Sequence, residues 1–272
     1  MSTDDLGWWD TWSPNMAYTL GFAFADGVVA FTKTGNMRNR LVLPQSDRSI
    51  LDSIAAAVPG RRHMVYSKGA KVWRLTISVP GIGDVLAKRG IVPNKTKFGF
   101  WPPDIPEKYV CDYLRGFFDG DGHISVHPDI PHRCNVGFVC HLRPFLERVE
   151  TEFRKRGCSD KPVWQDKRNF RLRYSSMDDV IKLFDLLYKD IEGCLRMESK
   201  QLSFQQAYLN MQAYDGRPTG EDHHNSTLTA EDVKEMRHLR TTNPSKWTYK
   251  KLSQRYNMSI SGVFGICNHI TW

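Results

Sequence analysis

The 272-residue chain has no apolar run approaching the ~20 residues that a membrane-spanning helix requires. A helical span is therefore excluded, and no membrane partner is expected. The six cysteines (Cys111, Cys134, Cys140, Cys158, Cys194 and Cys267) include no Cys-x-x-Cys pair. That argues against a dithiol redox motif and suits reduced thiols in a reducing compartment. His132, Cys134, Cys140 and His141 lie close together, but their spacing fits no zinc pattern. The first residues, MSTDDLGWWD, are acidic and aromatic rather than basic and apolar. A secretory or transit peptide is not expected, and the cytoplasm of a bacterium or phage-infected cell, or an organelle, is the expected location.

Acid is also in short supply. Lys and Arg number 38 against 30 Asp and Glu, a formal net charge of +8. A basic chain that is 40% hydrophobic and 12% aromatic can fold, and it favours polyanions, nucleic acid first.

The most informative feature is a weak internal repeat. Tyr18 to Gly27 (YTLGFAFADG) and Tyr113 to Gly122 (YLRGFFDGDG) share a pattern, and their Asp-Gly pairs stand 95 residues apart. Each reads as a helix ended by Gly at the C′ position. Strand-prone stretches follow at Val28 to Lys33 and His123 to His127. Amphipathic helices are expected at Arg48 to Val58 and Arg143 to Arg156. Val72 to Val79 alternates, with Trp73, Leu75, Ile77 and Val79 opposite Arg74, Thr76 and Ser78, and Phe170 to Ser175 does the same. Helices return at Asp84 to Gly90 and Met177 to Leu187. The expected fold is α+β: two tandem αββαββα half-domains, 1–104 and 105–212, related by a pseudo-twofold axis. A polar linker at 213–226 leads to a basic all-α module at 227–272. Thr229, Thr248 and Ser259 are placed to cap its three helices, and Leu228, Val233, Met236, Leu252, Tyr256, Ile260, Val263 and Ile266 are placed to fill its core.

The chemistry of the repeat follows from its small residues. Gly21 and Ala25 share one helix face, as do Gly116 and Gly120. Such seams let two helix backbones approach closely. If the helices pack side by side in parallel, Asp26 and Asp121 meet at their C-terminal ends. Each carboxylate then faces a helix dipole of its own sign and a like charge. A divalent cation relieves both costs, and oxygen ligands beside nucleic acid point to Mg²⁺. Paired carboxylates holding metal over a phosphodiester fit metal-assisted hydrolysis.

The stretches GFAFADG and LRGFFDGDG resemble the motif of the LAGLIDADG family, the second strongly, and further similarity runs over about residues 15 to 212. The resemblance implies two antiparallel sheets forming a saddle over DNA and Mg²⁺-dependent cutting of both strands across the minor groove. It implies that Asp26 and Asp121 are catalytic metal ligands, aided by the backbone carbonyls of Ala25 and Gly120, with Lys95 as a basic residue at the cleavage centre. Phe24 replaces the motif's other aspartate in the first half, whereas Asp119 keeps it in the second. Glu198 falls where the counterpart of Lys95 is expected, and Arg196 or Lys200 could take that role, so the two centres need not be equal.

The expected double-stranded DNA surface comprises Lys33, Arg38, Arg40, Lys68, Lys71 and Arg74 in the first half and Arg133, Lys167, Arg168, Arg171 and Arg173 in the second. The C-terminal segment resembles a helix-turn-helix module. TYKKLSQRYN would be its support helix and SISGVFGICN its recognition helix, with Lys250, Lys251, Ser259 and Ser261 contacting DNA. The expected protein is a monomeric homing endonuclease. The alternative is a catalytically impaired scaffold of the same family, acting as a DNA-binding regulator or as a maturase on intron RNA.

Overall fold

The computed structural model describes residues 4–31, 37–128, 130, 132–213 and 227–268. Lys33, the Arg38 side chain and nearly all of the 213–226 segment lie outside the described residues. The chain divides into two compact units, Met1–Gln212 and Ala213–Trp272.

In the first unit, α1 (Asp4–Asp10) precedes α2 (Pro14–Ala25), β1 (Val28–Phe31), β2 (Met37–Gln45), α3 (Arg48–Ala57), β3 (Arg61–Ser67), β4 (Val72–Ser78), α4 (Ile82–Lys88) and the single turn α5 (Lys95–Phe98). A 3-10 turn at Glu107–Tyr109 leads into α6 (Val110–Asp121), β5 (Gly122–Val126), β6 (Cys134–Cys140), α7 (Arg143–Lys155), β7 (Trp164–Asp166), β8 (Asn169–Tyr174), α8 (Met177–Tyr188) and α9 (Glu198–Gln212). The order of elements repeats, and so does the topology. Both sheets are four-stranded, ordered β1-β2-β4-β3 and β5-β6-β8-β7, with every pairing antiparallel. The α+β class and the tandem halves are as the sequence repeat led one to expect.

Local chemistry sets the boundaries. Ser13 caps α2 by accepting from the Met16 N–H, with Pro14 at the first helical position, where its missing N–H costs nothing. Asp47 and Ser176 cap α3 and α8 in the same way. The alternation of β4 turns Leu75 and Ile77 into the core, where they meet Leu41 and Leu43 of β2. The three N-terminal tryptophans dock on the first half. Trp9 is fully buried, Trp12 donates to Asp104 at 3.2 Å, and buried Arg89 donates to the Trp9 and Asp10 carbonyls at 2.6 and 2.9 Å. Buried Arg115 does similar work in the second half: it pairs with Asp112 at 2.6 Å and donates to the Leu195 carbonyl at 3.0 Å. Neither buried guanidinium is left without partners, which is what makes its desolvation tolerable.

α2 and α6 lie side by side at the centre. A Cβ on Gly21 would overlap the Tyr113 carbonyl, and one on Gly116 would overlap the Tyr18 carbonyl. The reciprocal contact means that the helices run parallel with their backbones touching. One expectation is corrected here. Gly122 does not take the left-handed C′ conformation but is extended (φ −79°, ψ 160°), and Gly27 has no positive φ either. Glycine is needed at both places for space: a Cβ would run into Ala23 at Gly27 and into Phe118 at Gly122.

The second unit is a bundle of α10 (Ala230–Thr242), α11 (Tyr249–Arg255) and α12 (Ile260–Cys267). Thr229 forms a capping box with Asp232, and Thr248 and Ser259 cap the other two helices. Leu228, Val233, Met236, Leu252, Val263 and Ile266 are buried together. Ile260, placed in this core by its periodicity, instead points outward and is 51% exposed.

Candidate metal centre and nucleic-acid interface

The parallel seam brings Asp26, the C-cap of α2, beside Asp121, the last residue of α6. Asp26 is half-buried, and its carboxyl is pushed up to about 6, first by desolvation and then by the negative charge of Asp121. Asp121 opens to the surface on one side, and partial burial raises its carboxyl as well. Opposing cations hold both shifts in check, and these are Lys95 and Lys200.

The two lysines occupy corresponding places. Lys95, at the start of α5, donates to the Phe24 and Ala25 carbonyls at the end of α2. Lys200, in the first turn of α9, donates to the Phe118, Asp119 and Gly122 carbonyls at 2.7 Å and reaches Gly120 at 3.4 Å. Each ammonium thus satisfies carbonyls left open at a helix end and sits at the negative pole of a dipole. Burial drives both lysines down, Lys95 to about 8. Glu198 is exposed; Lys200, two residues on, is the counterpart of Lys95. Arg196 donates to the Cys194 carbonyl instead.

The halves differ around this frame. The Gln45 side chain donates to Asp26 at 3.1 Å, its orientation fixed because its oxygen accepts from the Ser46 N–H at 2.7 Å. Gln45 pairs with Trp73 across β2 and β4, and at the matching register position of the other sheet Cys140 pairs with Phe170. Asp119 faces inward, away from the acid pair. It is buried and accepts from Tyr188, from Tyr18 at 2.7 Å and from the Met197 N–H at 2.7 Å.

Among the described residues no three His, Cys, Asp or Glu side chains group to hold a metal. The donor set at the seam is nonetheless that of a hard divalent cation. It offers two carboxylates and, through the free lone pairs of Ala25 and Gly120, backbone oxygen, leaving room for water and phosphate oxygens.

Two open sheet faces flank the acids. On the first, register places Arg40, Ser78 and Arg61 in one row, Val42, Thr76 and His63 in the next, and Pro44, Arg74 and Val65 in a third. Lys68 and Lys71 project from the β3–β4 turn. Arg61 and His63 were not legible as candidates, because β3 is exposed on both faces and shows no period-two burial. On the second face lie His123, Ser125, Asn135, Arg171, Arg173 and Trp164. Arg171 is paired with Asp166 at 2.6 Å, whereas Arg173 lies over the Trp164 ring. The His123 ring covers Gly137, where any Cβ would collide with it. Arg133 precedes β6, and Lys167 and Arg168 form the β7–β8 turn, all three exposed. In the second unit Lys250, Lys251 and Ser261 are exposed, while the Ser259 hydroxyl caps α12.

The arrangement of two αββαββα halves about a glycine-lined pair of central helices is consistent with a LAGLIDADG-like fold. The chain superposes on the homing endonuclease I-WcaI bound to its DNA recognition sequence (TM-score 0.51, 11% identity, 75% of this chain and 92% of that one). It superposes equally on I-DmoI in complex with DNA and Ca (TM-score 0.51, 15% identity, 70% and 96%). Full-length DUF199/WhiA from Thermatoga maritima matches over 94% of this chain and 89% of its own (TM-score 0.50, 11% identity). These identities bear on the fold alone. The family model for mitochondrial ribosomal protein subunit L20 matches residues 195–270. No curated protein matches the chain.

Proposed function

We propose that the chain is a single-chain homing endonuclease that hydrolyses both strands of a long DNA target with Mg²⁺. The observation that carries this reading is the pairing of Asp26 and Asp121 at one end of the helix seam, with Lys95 and Lys200 closing it from either side. A purely structural seam has no use for two desolvated acids whose ionisation the fold opposes. When bound, a divalent cation there would polarise the scissile phosphate and lower the pKa of an attacking water. The chain's own groups do the rest. Asp26 and Asp121, with the Ala25 and Gly120 carbonyls, would hold the cation. Lys95 and Lys200 offer positive charge where negative charge develops. Gln45 keeps Asp26 in one orientation. The sheets carry Arg40, Arg61, Arg74 and Arg173 toward major-groove base edges, and the second unit acts as a helix-turn-helix that lengthens the site.

The test is cleavage of a randomised-site plasmid library in Mg²⁺, compared with EDTA and with an Asp26→Asn/Asp121→Asn variant. Discrete Mg²⁺-dependent double-strand breaks that the variant fails to make are the expected result. Tight binding to DNA or intron RNA without any cutting would overturn the enzyme and leave a regulator or maturase on the same scaffold.

A further inference from the structure

The second unit has three helices and a small core, yet two large apolar side chains remain outside it. Ile260 is 51% and Phe264 46% exposed, the only such residues among those described in this unit. They stand four apart on α12 and so share one face. The adjoining flank of the helix supplies Val263 and Ile266 to the core. Phe264 is not loose. Its ring meets Tyr249 edge-on at 5.3 Å, Tyr249 lies under Arg240 at 4.2 Å, and the Asn268 amide donates to the Tyr249 hydroxyl at 3.3 Å. The apolar pair is therefore presented on a rigid base, with exposed Ser261 and Asn268 alongside.

The surrounding charge argues for the occupant. Between residues 227 and 268 the chain carries seven Lys and Arg against three acids. Two of those acids are engaged: Asp232 in the Thr229 cap, and Glu235 by Arg255 and Tyr256, each at 2.6 Å. Lys246, Lys250 and Lys251 have no carboxylate within ion-pair distance among the described residues. A basic unit that exposes an apolar pair with small polar groups beside it suits neither a lipid surface nor an acidic peptide as well as it suits a duplex groove. The apolar feature of a major-groove base edge is the thymine methyl group.

We infer that Ile260 and Phe264 read thymine methyl groups in the major groove, which makes the C-terminal unit selective for A·T-containing duplex DNA. This rests on reading the unit as a DNA-binding module, but not on cleavage. An RNA duplex offers neither an accessible major groove nor the methyl group, since uracil lacks it.

The test uses the full chain and three short duplexes of alternating A·T sequence: DNA with thymine, the same DNA with deoxyuridine, and the corresponding A·U RNA. One methyl buried against the pair should give about fourfold tighter binding to the thymine duplex. Ile260→Ser/Phe264→Ser should bind the thymine and deoxyuridine duplexes alike, and Phe264→Leu, which keeps an apolar contact, should retain the preference. Equal wild-type affinity for thymine and deoxyuridine overturns the inference. So does a thymine preference that survives in the double variant, or a preference for RNA that the double variant loses. Mg²⁺-dependent plasmid cutting by the same proteins separates the two readings. A chain that cuts but ignores the methyl overturns this inference alone, and a chain with a Phe264-dependent methyl preference that never cuts overturns the nuclease alone.

Discussion

Tyr18 and Tyr113 occupy the same turn of α2 and α6, but among the described residues only the Tyr18 hydroxyl finds an acceptor. Tyr18 donates to Asp119 at 2.7 Å, whereas the buried Tyr113 hydroxyl has no partner among the described residues. The reason lies six residues on in each helix, where Asp119 in one corresponds to Phe24 in the other. Phe24 stacks on Phe145 at 4.1 Å, so an apolar contact has replaced an acceptor. Tyr18→Phe should therefore cost about 1.5–3 kcal/mol, the worth of a hydrogen bond to an acidic group, while Tyr113→Phe should be neutral or stabilise by up to ~1 kcal/mol. Urea unfolding of the two variants checks the opposite signs. Equal losses would mean that Tyr113 has a partner after all.

Removing the Gln45 donor should harm one centre and spare the other. Cys140, at the matching register, accepts from the Leu142 N–H at 3.4 Å and makes no bond to Asp121 among the described residues. In Gln45→Ala, supercoiled plasmid should convert to nicked circles, with linear product slowed about tenfold, as expected for loss of one hydrogen bond to a charged group. Equal slowing of both strands would show that the two centres depend on Gln45 alike.

The acid pair should make stability depend on both pH and metal. The Asp26 carboxyl ionises near 6 in the fold against 3.8 when free. A raised carboxyl favours the fold while protonated, so its contribution is full below 3.8 and is lost as pH rises through 6. The loss amounts to at most ~3 kcal/mol without metal. Asp26→Asn should match wild type near pH 4 and exceed it near pH 7, about a unit below the point at which Lys95 gives up its proton. Mg²⁺ should restore the wild type above pH 6 and do little for the variant. Thermal melts across that range provide the measurement, and a flat profile counts against the coupled acids.

The seam tolerates no added carbon. Gly21→Ala or Gly116→Ala would drive a methyl into a backbone carbonyl that cannot move without separating the helices, so each should cost more than ~3 kcal/mol or abolish folding. Gly69→Ala, with nothing within 4 Å of the new methyl, should stay within ~0.5 kcal/mol of wild type. Soluble yield and chemical denaturation distinguish the two classes.

Lys200, not Glu198, should be the residue whose loss silences the second centre. Lys200→Met should lower cutting at least tenfold and weaken the end of α6, because several carbonyls lose their donor. Glu198→Gln should leave both unchanged. Sensitivity of cutting to Glu198 would reverse the assignment.

That pair of residues also shows where reading the sequence succeeds and where it stops. The motif helices were legible because Gly, small residue and Asp recur at fixed spacing on a helix, and close packing tolerates no substitute. Lys95 follows Asp26 by 69 residues, but Lys200 follows Asp121 by 79, so carrying the first spacing into the second half lands on Asp190, ten residues short of Lys200. Part of the difference is the length of α8, 12 residues against 7 in α4. Arg61 and His63 stayed hidden for another reason: an edge strand wet on both faces leaves no alternating signature. Gln45 had none either, since a single glutamine at a strand end becomes informative only once the strand is folded over Asp26. The outward turn of Ile260 reflects a core already filled by its neighbours, a fact of packing that periodicity does not carry.

The lysines that close the acid pair come from late in each half, and this bears on how the protein is born. As the chain leaves the ribosome, α2 and α6 can meet once residue 121 has emerged, but Lys200 arrives only with α9. For that interval the nascent protein holds both acids and one ammonium. The second half of the acid cluster is therefore completed only by α9, the last helix of the unit to be synthesised.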